Sequence, residues 1–74
     1  MQTLREARRS RAWSIRELSD QSGVATATIV SAEKGKLIRL LSIRKLSESL
    51  GVDPVEIKEF RAIIYEEYPD VLRP

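Results

Sequence analysis

The sequence predicts a single all-α domain of five short helices. Three observations carry this reading. Apolar residues recur at three- and four-residue intervals with no alternating stretch; Thr3-x-x-Glu6, Ser14-x-x-Glu17 and Asp53-Pro54 mark helix starts; and Gly23 and Gly51 mark helix ends. A chain of 74 residues buries only about 60 to 65 % of its unfolded surface. Its core must therefore be compact and shared by every helix.

The first helix is expected from Thr3 to about Arg11. The Thr3 hydroxyl accepts from the third helical amide, and Glu6 reaches back to the cap. Leu4 and Ala7 form its apolar face with Arg8 on the same stripe, while Arg5, Arg9 and Arg11 reach solvent. Trp13 closes the following turn as a core anchor. A second helix starts at Ser14 with Leu18 pointing inward, supported by Ile15 and Ser22, and Gly23 ends it. A third runs from about Thr26 to Glu33, stopped by Lys34-Gly35-Lys36. Leu18, Val24, Ile29 and Ala32 can share one core. Thr26, Ala27, Thr28, Val30 and Ser31 cannot all join them, so the third helix keeps a face to the outside.

Leu40, Ile43, Leu46, Ser47 and Leu50 define a fourth, amphipathic helix over residues 40 to 50. Asp53-Pro54-Val55-Glu56, with proline at the first helical position, opens a last helix to about Tyr68. Ile57, Phe60 and Ile64 form its stripe, with Ile63 and Tyr65 lying off it. The expected organisation is one domain over residues 1–68 and a flexible, extended tail over 69–74.

Composition narrows the function. There is no Cys and no His, which removes disulfides, thiol chemistry, zinc-finger ligand sets and the usual general base. Glu56, Glu59, Glu66 and Glu67 stand at ordinary surface spacings, so neither an enzyme nor a metal or cofactor is expected. No apolar run is long enough to span a bilayer, and a cytoplasmic, membrane-free protein is expected. The net charge of +2 divides unevenly: residues 1–45 hold ten Lys/Arg against four acids, residues 46–74 three against seven. The basic part attracts polyanions.

Two helices joined at Gly23, the second exposing small polar side chains, meet the specification of a helix-turn-helix over residues 15–34. The segment Leu4 to Val52 resembles the phage-repressor-like helix-turn-helix family, the Cro/C1 or xenobiotic-response-element type. Leu4, Arg8, Ser14, Glu17-Leu18-Ser19, Gly23-Val24-Ala25, Thr28-Ile29-Val30, Glu33 and Gly35 carry the resemblance. It implies a five-helix lambda-repressor-like DNA-binding domain, with Arg8 and Glu33 forming an internal ion pair. It further implies that Thr26, Ala27, Thr28 and Ser31 face double-stranded DNA. Ser14 would lie near a phosphate, and Lys34, Lys36 and Arg39 on the adjoining backbone.

The sequence departs from the family pattern at several places. Ile15 stands where many relatives have Gln, Val30 is apolar, Ser19 replaces a small Ala, Ala32 is small, and the proline near Ile38 is absent. Ile15, Val30, Leu37 and Ile38 either form an apolar patch that binds protein or repack around Ala32. Two functions follow: a sequence-specific transcriptional regulator, or a protein-interaction module of the same fold with weak or no DNA binding. The regulator would act as a homodimer through the last helix, using Ile63, Ile64, Tyr65 and Tyr68, unless its own chain covers that face.

Overall fold

The computed structural model describes residues 1–72, and among them five α-helices form around one core. The first is α1, Leu4–Arg9. The Thr3 hydroxyl accepts from the Glu6 amide at 3.1 Å, and the Thr3 amide donates to Glu6 Oε1 at 2.8 Å. Two donors that a helix start leaves unpaired are thereby satisfied. The same Thr3 amide holds the Glu6 carboxyl below the usual carboxylate range. The helix stops short of the expected Arg11 because Ala12 takes φ +57°, a left-handed conformation that turns the chain toward α2.

Helix α2 spans Ile15–Ser22 and α3 spans Thr26–Glu33, with Gly23 at φ +75° between them. Helix α4 covers Leu40–Leu50 and ends at Gly51, φ +67°. Arg11, expected to reach only solvent, donates from Nη2 to the Leu50 carbonyl. Its guanidinium lies 5.5 Å from the centre of the Trp13 ring. It thus satisfies an orphan acceptor at the α4 C-terminus.

The expected last helix is broken in two. Asp53 caps Val55 at 3.1 Å, but Pro54–Glu56 close only a 3-10 turn, and Ile57 is extended. Helix α5 starts afterwards, at Lys58, and runs to Glu67. Ile57 pairs in parallel with Gln2, the Lys58 amide donating to the Gln2 carbonyl at 2.9 Å. Glu59 accepts from the Leu4 amide, also at 2.9 Å, at the α1 N-terminus. These two bonds join the first and last elements, and the extended conformation places Ile57 fully inside the core. After α5, Pro69–Leu72 form a second 3-10 turn where extended chain was expected; the last two residues of the predicted tail lie outside the described residues.

Leu4, Leu18, Ile29, Ile43, Leu46, Leu50, Ile57 and Phe60 are fully enclosed. Trp13 and Ile15 are half-buried against this cluster. Helix α5 packs on α1, α3 and both 3-10 turns, so its buried face is wide. Ile63 and Ile64, expected on a dimer surface, are only 6 % and 2 % exposed within the single chain. Their apolar area is already removed from water. Of that predicted face Tyr65 remains exposed and Tyr68 half-buried.

One core position is poorly matched. Ser47 is 2 % exposed, and among the described residues its hydroxyl has no hydrogen-bond partner. An unsatisfied buried hydroxyl costs about 1 to 3 kcal/mol. Ser47→Ala is expected to stabilise the fold by about 1 kcal/mol and raise the melting temperature by roughly 4 to 8 °C. A melting temperature at or below wild type would contradict this.

Candidate nucleic-acid interface

The turn between α2 and α3 is built from local polar bonds over an apolar floor. Ser19 Oγ donates to the Val24 carbonyl at 2.6 Å, and the Val24 amide donates to Ser22 Oγ at 3.1 Å. Ser19 therefore has a task that the alanine common in the family could not perform. Beneath the turn, Leu18, Val24, Ile29 and Ala32 are buried. The opposite face of α3 is open: Thr26 and Ala27 are exposed, and Thr28, Val30 and Ser31 are half-exposed.

Helix α3 is held from behind by Arg8. Arg8 Nε donates to Glu33 Oε2 at 2.7 Å, Nη2 donates to Oε1 at 3.2 Å, and Nη1 donates to the Trp13 carbonyl at 2.9 Å. The side chains of the pair are 10 % and 2 % exposed. Arg5, mostly in solvent, adds a weaker contact to Glu33 Oε1 at 3.3 Å. Burial pushes the Glu33 carboxyl up, but the hydrogen bonds from Arg8 and Arg5 outweigh it and hold the group below its usual range. This network fixes α3 against α1 and the turn before α2.

Of the residues singled out in the sequence, Ala27, Thr28, Ser31 and Arg39 come together in an open groove of about 600 Å³. The groove continues over Leu37, Ile38 and Ser42 to Tyr68. Thr26 stands beside it at the first position of α3. Ser14 lies elsewhere, its hydroxyl accepting from the Glu17 amide at 3.0 Å as the α2 cap. Lys34 and Lys36 project from the loop after α3, which is closed by the Lys36 amide donating to the Ser31 carbonyl at 3.0 Å. Lys34, Lys36 and Arg39 are exposed and make no ion pair among the described residues. Their charge is available to a polyanion.

Sequence reasoning missed Ser42 and gave Tyr68 to a dimer face rather than to this groove. The start of α4 is unmarked, since its N-cap Arg39 makes no side-chain capping bond, and Tyr68 is distant in sequence from α3. The four-residue apolar patch does not assemble. Ile38 is 6 % exposed and joins the core, Ile15 packs against that core, and Leu37 is 60 % exposed.

A bracing helix, a left-handed turn and a second helix offering small polar side chains define a helix-turn-helix protein. A family model described as Helix-turn-helix, of the Cro/C1 type, matches residues 4–57, and the chain belongs to this family of DNA-binding transcription regulators. No curated protein and no solved structure matches the chain. No helix among the described residues is long and apolar enough to cross a membrane.

Proposed function

We propose that this protein is a sequence-specific DNA-binding transcriptional regulator that places α3 in the major groove. The observation that carries the reading is the outer face of α3. Thr26, Ala27, Thr28 and Ser31 are small, uncharged and spared from the core, on a helix immobilised from behind and flanked by exposed cations. Small side chains let the helix backbone approach base edges closely. Hydroxyls bond base edges or phosphates, and the methyls of Ala27 and Thr residues fit thymine methyls. With no Arg, Asn or Gln on α3, no bidentate base contact is offered. Base discrimination then rests on thymine methyls and DNA shape, and affinity on Lys34, Lys36 and Arg39.

A two-fold operator, with half-sites ~34 Å apart, would seat a second copy. Ile63 and Ile64 are enclosed, so that pairing would draw on apolar side chains still open, Leu37, Leu41, Tyr65, Val71 and Leu72. The competing protein-interaction reading keeps the half-exposed Ile15 and Val30 and the acidic C-terminal third as its support, but not Ile38, which lies in the core.

Titration of duplex binding against salt tests the proposal. Log K is expected to fall linearly with log salt at about −0.9 per neutralised phosphate, giving a slope near −3 for three cations on one half-site. No duplex binding even at low salt would remove DNA recognition and favour a protein partner.

A further inference from the structure

We infer that Tyr68 is a DNA-contacting residue, its hydroxyl donating to the sugar-phosphate backbone beside Arg39. The inference rests on the DNA-binding reading above and extends the interface to the C-terminal end of the domain. Tyr68 closes the groove whose other walls are the α3 residues Ala27, Thr28 and Ser31 and the residues Arg39 and Ser42 at the start of α4. A duplex lying on α3 must pass its flanking strand along that groove. The lining is suited to it: a cation, hydroxyls and an aromatic edge, with no acidic residue.

The tyrosine is held in place before any ligand arrives. Its amide donates to the Ile64 carbonyl at 3.0 Å, and its carbonyl accepts from the Val71 amide at 3.1 Å. Its ring packs against the core. The ring is thus held at the edge of a groove that carries the positive charge of Arg39. None of the side-chain hydrogen bonds among the described residues involves the Tyr68 phenol. A neutral donor adds affinity without releasing a counterion, which separates its effect from that of a cation.

The test compares the full chain with Tyr68→Phe across one salt series of duplex binding, with melting curves and sedimentation in parallel. The variant keeps the ring and loses only the hydroxyl. It is expected to bind about tenfold more weakly at every salt concentration, with the salt slope and melting temperature of wild type. Binding equal to wild type overturns the Tyr68 contact and leaves DNA recognition standing. Absence of wild-type binding at low salt overturns both. Weaker binding that follows loss of a dimer in sedimentation assigns the groove to a second copy and overturns the contact.

Discussion

Arg8→Ala is expected to lower the folding free energy by about 3 to 5 kcal/mol. The arginine makes two bonds to Glu33 and one to the Trp13 carbonyl from a nearly enclosed position. Its removal leaves a buried carboxylate without its principal partner. A chain of 74 residues has a total stability of roughly 4 to 11 kcal/mol, so the variant should be marginal or unfolded at room temperature. A urea or thermal melt checks this, and melting unchanged within error would rule it out. Arg5→Ala is the control. Arg5 meets the same carboxylate but its side chain is 58 % exposed, and its loss should cost less than about 1 kcal/mol. The pair also sets an acid limit. Because the folded Glu33 carboxyl titrates below its unfolded value, its contribution is complete above the unfolded pKa near 4.5 and is lost as pH falls through the lower folded value. Acid unfolding that Glu33→Gln leaves unmoved would contradict that assignment.

Features that were legible in the sequence are those satisfied within a few residues. The Thr3/Glu6 box, the Ser14 cap and the glycine ends at Gly23 and Gly51 close their hydrogen bonds locally, so their pattern is their structure. The break before α5 has no such signature. Asp53 and Pro54 start a 3-10 turn and an α-helix equally well, and the choice is made by Ile57 pairing with Gln2 across the chain. Ile63 lies off a narrow stripe through Ile57, Phe60 and Ile64, yet is buried because α5 is covered from several sides. The same limit applies to the interface. The face of α3 follows from which residues the core cannot take, whereas Tyr68 reaches the groove only through the path of the chain after α5. Ile38 shows the converse: a bulky residue in a loop reads as exposed until the fold provides the space it fills.

Ser31→Glu is expected to reduce duplex binding by more than about 100-fold while leaving the domain folded. Ser31 lies half-exposed in the last turn of α3 and lines the groove with Ala27 and Thr28. Glutamate is a good helix former, and an acid near a helix C-terminus costs only about 0.3 to 1 kcal/mol. Against DNA the same charge must be desolvated among phosphates of like sign, with no cation inside α3 to offset it. Lys34→Ala should behave differently, weakening all duplexes alike and reducing the magnitude of the salt slope by about 0.9, because it removes one phosphate neutralisation and no base contact. Selection from random duplexes with wild type, Ser31→Glu and Lys34→Ala distinguishes these roles. Wild type and Lys34→Ala should recover the same sites at different salt tolerance, and Ser31→Glu should recover none of them. Recovery of the wild-type sites by folded Ser31→Glu would count against α3 entering the groove, since a glutamate there accepts from a cytosine amino group and donates to no base, and so should change the sites selected.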